Sequence, residues 1–303
     1  MHSVHSIPDV CDVTLLGRAR TGATPEVVLE VAHGATRARD FDALRAVLRG
    51  PYPGDLREFF FVNTDVGAPE VALAVAERLV ARHPTRAVAV IRCLVPRTFL
   101  DVNRLIDTDT QPSTSKPGEM TPGLHAWVRE PADRSLLFAR YRAYRALVEG
   151  AVDACCSRGG RAVMVHTYAP RSIDVPVDEH IVVNLRAAYA PERVESWPLR
   201  APVDLILDTP DGRRLADPEL VERLQRAYTA RGIAVELNGA YALHPITLAG
   251  MLAERHPQRV LCLELRRDLL VPEFTPFQEM HVDPAKVERM AAPLAEALAE
   301  ARA

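Results

Sequence analysis

The amino-acid sequence predicts an α/β fold in three layers, with a mostly parallel sheet between helices on both faces. Short continuous apolar runs alternate with longer segments whose apolar residues recur at helical spacing. Continuous apolar runs are typical of strands covered on both faces, and alternating strands and helices are typical of a parallel sheet. The predicted strands are Val27–Ala32, Ala87–Val95, Ala162–Val165, Val203–Leu207, Ile233–Leu237 and Val260–Leu265.

Four segments have the apolar spacing of helices and residues suited to helix ends. They span residues 69–82, 134–158, 218–231 and 284–301. Pro69 falls in a first turn, where its missing N–H costs nothing, and Asp283 with Pro284 forms an N-cap and first-turn pair. Gly159 and Gly232 follow two of the helices, at the position where glycine commonly ends them.

Composition and charge exclude several classes of protein. The net charge of -3 gives no electrostatic reason to expect nucleic acid or an anionic membrane as a partner. No apolar run approaches the length of a membrane span, and residues 1–16 lack the basic and apolar regions of a signal peptide. The five cysteines are an odd number without regular spacing, which argues against a disulfide framework and favours a reducing compartment. We therefore expect a cytoplasmic protein.

The chain shows no repeat and no linker that would divide it. We expect a single domain over residues 1–303, in which residues 1–20 are a candidate for a loosely ordered N-terminal extension. Residues 107–123 form a long polar stretch rich in turn-forming residues. Long loops in compact domains are usually functional or disordered, and this one directly follows a polar motif, which favours a loop that covers a substrate. The oligomeric state stays open.

Two histidines stand at the ends of predicted strands. His33 follows residues 27–32, and His166 follows residues 162–165. Catalytic groups in parallel α/β sheets gather at the carboxyl ends of the strands, and a neutral imidazole is a common zinc ligand there. A lone histidine at such a position more often caps its strand by a hydrogen bond. Two of them in one sheet, with carboxylates nearby, favour a metal site.

Two further places carry polar groups suited to catalysis. Arg97 and the segment Asp101–Arg104 follow the strand of residues 87–95, and an arginine fork suits carboxylates and developing oxyanions. Asn103 and Arg104 together are predicted to hold a substrate carboxylate, with a solvated surface or a local ion pair as the alternative. Glu264 lies inside an apolar strand, where a carboxylate is costly unless it is paired or used. Burial would raise its pKa, which suits a general base and acid.

The ordered set of motifs resembles the N-formylglutamate amidohydrolase family. In chain order the set is His33, Arg97, Asp101–Arg104, His166, Asn238–Tyr241 and Leu263–Leu269, which contains Glu264. The resemblance runs from about residue 27 to the C-terminus. It implies a mostly parallel mixed sheet of the phosphorylase/hydrolase type, similar to zinc carboxypeptidases and aspartoacylases.

The resemblance also implies one zinc ion per chain, held by two histidines and a carboxylate. The histidines would be the two at the strand ends. The carboxypeptidase pattern places the carboxylate three residues after the first histidine, where this chain has Thr36. We interpret Asp65 as the third ligand, with Asp40 and Glu70 as the alternatives. The structural alternative for Asp65 is a helix N-cap.

Other departures from the family pattern bear on the substrate. Asn238, Tyr241 and His244 are predicted to contact it, yet Ala240 replaces the family's proline and Leu243 with His244 replaces its Gly-Gly. These changes lie where the side chain of an acyl amino acid would be recognised. His244 is equally well explained as a solvated loop residue.

The sequence therefore predicts zinc-dependent hydrolysis of a formamide or N-acyl bond in a small carboxylate-bearing substrate, such as N-formylglutamate. Zinc would activate water, Glu264 would transfer protons, and Arg97 would stabilise the oxyanion. A carboxypeptidase that acts on small peptides and a non-enzymatic binding scaffold are the alternatives. A hydrolase with a serine nucleophile is disfavoured, because the chain contains no Gly-x-Ser-x-Gly motif. A dinucleotide-binding protein is disfavoured too, because no Gly-x-Gly-x-x-Gly motif follows a predicted strand.

Overall fold

The computed structural model describes residues 4–300, in which seven strands form one mixed sheet. The strands are β1 (Cys11–Gly17), β2 (Val27–Val31), β3 (Ala87–Cys93), β4 (Arg161–Tyr168), β5 (Val203–Ile206), β6 (Val235–Leu237) and β7 (Val260–Arg266). Their order across the sheet is β1-β3-β2-β4-β7-β5-β6. Strands β3, β2, β4 and β7 are parallel, whereas β1 and β5 run antiparallel to β3 and β7 and β6 is parallel to β5. The predicted mostly parallel mixed sheet is confirmed.

Helices cover both faces of this sheet. They are α1 (Ala38–Val47), α2 (Leu56–Asn63), α3 (Ala68–Arg82), α4 (Pro131–Cys156), α5 (Ile181–Ala188), α6 (Pro191–Val194), α7 (Pro218–Thr229), α8 (Leu248–Arg255) and α9 (Pro284–Glu300). Short 3-10 turns occupy Arg18–Thr21 and Arg267–Leu269. The four predicted helices are α3, α4, α7 and α9, each found within three residues of its predicted ends.

The two faces of the sheet carry two separate apolar cores, which confirms the three layers. Helices α3, α7 and α9 pack on one face, against Leu29 of β2 and Val165 of β4. Helices α1, α2, α4, α5 and α8 pack on the other, against Val28 and Met164. Because side chains alternate along a strand, Glu30, His166, Glu264 and Asp204 all lie on this second face. We call it the α4 face.

Strand β1 corrects the prediction for the N-terminus. Residues 11–17 form an edge strand along the whole of β3, from Cys11 opposite Cys93 to Gly17 opposite Ala87, so a loosely ordered extension over residues 1–20 is wrong for them. The strand has only intermittent burial, because polar Asp12 and Thr14 alternate with apolar neighbours at the edge of the sheet. Such a short alternating segment lacks the continuous apolar run by which the buried strands were predicted.

One stretch is apolar and long enough to span a membrane by composition alone, contrary to the sequence prediction. It covers residues 56–82, with a mean hydropathy of 1.3 in its best window. The stretch is not one helix: α2 ends at Asn63 and α3 begins at Ala68. Within the structure 72% of that window is buried, which is the pattern of a core.

Candidate active site

A buried cluster of His33, Asp65 and His166 lies on the α4 face at the carboxyl end of the sheet. Its donor atoms all lie within 4.8 Å of one another. The Oδ2 atom of Asp65 is 3.2 Å from Nδ1 of His33 and 2.9 Å from Nδ1 of His166. None of the three side chains is more than 4% exposed. His33 follows β2, Asp65 lies in the turn between α2 and α3, and His166 belongs to β4 itself.

The donor set fits a metal ion of the zinc type. Two imidazole nitrogens and one carboxylate oxygen converge, which is a common protein ligand set of catalytic zinc. The opposite nitrogen of His33, Nε2, lies 2.8 Å from Oδ1 of Asp101. A carboxylate on the far side of a histidine is the arrangement that fixes ring orientation in metal sites. His33, Asp65 and His166 would therefore hold the ion.

Asp65 and His166 shift each other's pKa. Burial opposes ionisation of Asp65, yet the neighbouring His33 and His166 hold the pKa of its carboxyl well below the usual range. Burial alone would lower the pKa of His166, but the hydrogen bond and charge of Asp65 raise it to about 9. Asp65 is further neutralised by buried Arg267, whose Nη2 lies 3.3 Å from Oδ1 of Asp65. The charge of Asp65 therefore favours the protonated form of His166.

The alternative third ligands lie elsewhere. Asp40 accepts hydrogen bonds at Oδ2 from the backbone N–H groups of Thr36 and Arg37, and Arg92 donates to the same oxygen at 2.6 Å. Glu70 forms an ion pair with Arg37 at 2.8 Å. Asp40 caps the start of α1, and Glu70 joins α3 to the residue before α1. Of the three candidate carboxylates, Asp65 is therefore the one that lies against the two histidines.

Glu264 lies beside His166 with an unused oxygen. The two residues are paired in the register of β4 and β7, so their side chains project from the same face. Among residues 4–300, neither Oε2 of Glu264 nor Nε2 of His166 has a hydrogen-bond partner, although both atoms are buried. Burial raises the pKa of Glu264 to about 7, against the opposing charge of His166. This carboxyl group can therefore exchange a proton near neutral pH.

Arg97 reaches the same cluster from the end of β3. Its Nη2 donates to Oδ2 of Asp101 at 3.0 Å, and its Nη1 lies 3.4 Å from Nδ1 of His33. Buried His125 donates from Nε2 to the carbonyl oxygen of Arg97 at 3.1 Å, and so fixes the backbone of that residue. The guanidinium group is thus held against the metal-binding atoms.

Asn103 and Arg104 are engaged within the protein. Oδ1 of Asn103 accepts from the backbone N–H of Ala249 at the start of α8, at 3.3 Å. Arg104 donates from Nε and Nη2 to the carbonyl oxygen and hydroxyl of Thr121, at 3.1 and 3.0 Å, and lies 3.6 Å from Asp101. Thr121 belongs to the long loop of residues 107–123, so these contacts bring the end of that loop against the site. A substrate-covering role for the loop stays a prediction.

Comparison with known proteins bears on what this site does. A family model described as N-formylglutamate amidohydrolase matches residues 61–271. The chain belongs to the N-formylglutamate amidohydrolase family. The resemblance predicted from the ordered motifs is confirmed, and hydrolysis of the N-formylglutamate amidohydrolase type is supported. The matched range contains Asp65, Arg97, His166 and Glu264, whereas His33 lies before it.

Two solved structures share the fold of this amidohydrolase. The crystal structure of N-formylglutamate amidohydrolase from Ralstonia eutropha JMP134 is 20% identical, with a TM-score of 0.58 over 95% of this chain and 97% of that one. The structure of a gene product from Agrobacterium tumefaciens is 17% identical, with a TM-score of 0.52 over 97% and 96%. Likeness at these identities shows the fold alone. No curated protein sequence matches the chain.

The residues predicted to contact substrate near β6 have different surroundings in this amidohydrolase. Asn238 has a left-handed backbone with φ of 57°, and its Oδ1 accepts from the backbone N–H groups of Leu207 and Asp208 at 2.7 and 3.0 Å. His244 accepts from the backbone N–H of Ile246 at 3.3 Å. Tyr241 is 45% exposed, and its hydroxyl group lies 3.2 Å from Arg200. Tyr241 is the one of the three whose side chain remains largely open to a ligand.

Sequence reasoning did not single out three residues that contact the cluster or Arg97. Asp101 was quoted only as part of its motif, and Arg267 only as part of the segment that contains Glu264, where it is the second of two consecutive arginines after a buried strand. His125 gave no signal, because its hydrogen bond to Arg97 joins two residues that are 28 positions apart.

Proposed function

We propose that this protein is a zinc-dependent hydrolase of a formamide or N-acyl bond in a small carboxylate-bearing substrate, such as N-formylglutamate or another N-acyl amino acid. The observation that carries the proposal is the buried His33–Asp65–His166 cluster beside the unpaired carboxyl group of Glu264. Family membership supports the amidohydrolase reaction. The donor set supports the metal.

Zinc bound at the cluster would polarise the substrate carbonyl and make water a better nucleophile. Glu264 takes a proton from the attacking water, because its pKa of about 7 leaves a fraction of the group ionised at neutral pH. The same carboxyl group then passes the proton to the departing nitrogen as the C–N bond breaks. The products are the free amine and the carboxylic acid, formate for an N-formyl substrate.

Arg97 supplies fixed positive charge at the point where the oxyanion develops. Its guanidinium lies against His33 and is oriented by Asp101, so it needs no rearrangement when negative charge forms. Asp101 also fixes the ring of His33, and Arg267 keeps Asp65 in place. These contacts orient the groups that hold the metal and the substrate.

We also propose a small molecule, and no nucleic acid or membrane, as the partner and the cytoplasm as the compartment. The net charge of -3 and five free, buried cysteines support this part of the proposal.

The test is the metal content of the purified protein by elemental analysis, followed by a substrate panel. We expect about one zinc per chain, lost in the His33→Ala/His166→Ala double variant and kept in His180→Ala, which removes an exposed histidine at the start of α5. The panel compares N-formyl and N-acyl amino acids with small peptides. Turnover of peptides alone would favour a carboxypeptidase. An absence of metal after zinc is supplied would overturn the hydrolase mechanism and favour a binding scaffold.

A further inference from the structure

We propose that Arg200 binds the substrate's carboxylate, assisted by the hydroxyl group of Tyr241. The inference rests on the proposed function, because it names the carboxylate anchor of that same site. It assigns the substrate's carboxylate to Arg200 instead of to Asn103 and Arg104, for which the sequence predicted that role.

Arg200 lies on the α4 face, next to the reacting groups. Its guanidinium carbon is 4.9 Å from the ring centre of Tyr168. Tyr168 is two residues beyond His166 on β4, so its ring projects from the same face, roughly 7 Å further along the strand. The positive charge of Arg200 also acts on Glu264, where it opposes the rise in pKa caused by burial.

The other arginines of the site have carboxylate partners. Arg97 and Arg104 share Asp101, at 3.0 and 3.6 Å, and Arg267 pairs with Asp65 at 3.3 Å. Within the part of the chain that the structure describes, Arg200 forms no ion pair with any carboxylate, and its buried Nε has no hydrogen-bond partner. Arg200 therefore keeps both an uncompensated charge and a free donor beside the site.

Arg200 is held in place without its charge being neutralised. Its backbone N–H donates to Pro170 at 2.9 Å, and its carbonyl oxygen accepts from Arg266 at 2.7 Å. The guanidinium lies between two aromatic rings, with Tyr241 at 5.6 Å on the exposed side, and Nη2 donates to the Tyr241 hydroxyl at 3.2 Å. Aromatic faces orient a guanidinium group and leave its edge free.

A carboxylate is the ligand that this arrangement recognises. The planar fork of an arginine matches the two oxygens of a carboxylate, and a charged pair of this kind is stronger than a neutral hydrogen bond. An N-acyl amino acid with its carbonyl at the His33–Asp65–His166 cluster extends a carboxylate towards Arg200. The α-carboxylate and a side-chain carboxylate offer the same chemistry, so the experiment must separate them.

The experiment compares Arg200→Gln and Arg200→Lys with the wild type on three substrates. These are N-formylglutamate, N-formylglutamine, which lacks the side-chain carboxylate, and the α-carboxamide of N-formylglutamate. We expect Arg200→Gln to raise KM for N-formylglutamate by about 10- to 100-fold with little change in kcat, and Arg200→Lys to recover part of the loss. Arg193→Gln, which removes an exposed arginine from α6, should behave as the wild type.

The amide substrates identify the carboxylate. The substrate that lacks the carboxylate bound by Arg200 should have a high KM with the wild type, and Arg200→Gln should add nothing further to it. An unchanged KM in Arg200→Gln, or an equal rise for all three substrates, would overturn the inference while leaving the proposed function intact.

If the wild type hydrolyses none of the three substrates, the proposed function fails, and titration calorimetry with glutarate decides the inference separately. Weaker glutarate binding by Arg200→Gln than by the wild type and Arg193→Gln would support it. Equal binding by all three proteins, or no binding by the wild type, would overturn it.

Discussion

Glu264 shows how a single half-buried carboxyl group combines cost and function. Its Oε2 atom is buried and has no hydrogen-bond partner within residues 4–300. Burial raises the pKa of the carboxyl group to about 7. We predict that Glu264→Gln keeps its zinc and its fold but lowers kcat by about 10²- to 10⁴-fold, since the amide cannot transfer a proton. Steady-state kinetics with elemental analysis test this. Glu222→Gln on the exposed side of α7 is the control, and a near-normal kcat in Glu264→Gln would remove this residue from the mechanism.

His125 makes stability depend on pH. Burial lowers its pKa to about 4, compared with about 6.5 for an exposed histidine. Between these pH values the unfolded chain takes up a proton that the folded chain does not, so the contribution present above pH 6.5 is lost as the pH falls towards 4. We predict that this residue accounts for about 3 kcal/mol of the loss.

Urea unfolding from pH 7 to pH 4 measures this contribution. The free energy of unfolding of His125→Gln should fall less steeply with decreasing pH than that of the wild type. His180→Gln, at an exposed histidine, should keep the wild-type slope. Parallel slopes in wild type and His125→Gln would show that the buried imidazole is protonated in the folded protein.

At the residue scale, the sequence predicted the site residues that lie inside or directly after an apolar strand. His33, His166 and Glu264 stand at or inside apolar runs, and the family pattern connects them in order. Arg200 lies in a mostly exposed polar segment. Its interest comes from the ring of Tyr168 and from the absence of an ion pair in the described structure, and neither is visible in the sequence.

Among the elements, α4 has a structural contact that can be tested directly. Asp133 in its first turn is 1% exposed and accepts from the backbone N–H groups of Arg49 and Gly50 and from the hydroxyl of Tyr52, at 2.8 to 3.0 Å. We predict that Asp133→Ala costs about 2–4 kcal/mol of unfolding free energy, because it leaves these donors without partners.

Chemical denaturation tests this cost. The denaturant concentration at the unfolding midpoint should fall, while the slope of the unfolding free energy against denaturant concentration (the m value) stays constant. Glu222→Ala on α7 is the matched control, since the Glu222 side chain and its ion pair with Arg226 are both largely exposed. A loss in Asp133→Ala no larger than that of the control would mean that water replaces the carboxylate beside the segment of residues 49–52.

The helices of 12 or more residues and the strands with a continuous apolar sequence were predictable, whereas the shorter helices were not. Five buried strands and four such helices carry enough continuous apolar sequence or enough turns to be recognised, and β6 was found within the predicted run of residues 233–237. Helix α2 has only 8 residues, and Phe59, Phe60, Phe61 and Val62 are all buried, so this run of four consecutive apolar residues obscures the helical period. Strand β1 was missed for the opposite reason, since its edge position leaves polar residues within it.

Across the whole molecule, the strand order is what the sequence could not supply. Strand β7 enters the sheet between β4 and β5, and β1 pairs with β3 and not with β2. This order brings His166 of β4 next to Glu264 of β7 although 98 residues separate them in the sequence. Asp65 and Asp101 approach from two further segments, so the site exists only once the complete fold has formed.

A site assembled from distant segments should couple metal binding to global stability. A ligand that binds only the folded chain stabilises it by about 2.7 kcal/mol at 100 times its Kd, which corresponds to a rise in Tm of about 5 °C for a chain of this size. We predict that zinc raises the Tm of the metal-free protein by this amount and that a chelator reverses the rise.

The rise in Tm should be absent in the His33→Ala/His166→Ala double variant, because its folded state lacks two of the three metal ligands. It should persist in Glu264→Gln, because that residue is not one of the three ligands. Calorimetry of each protein with and without zinc compares every variant with itself, so a change in intrinsic stability does not affect the comparison. An equal zinc-dependent rise in the double histidine variant would place the metal elsewhere on the protein.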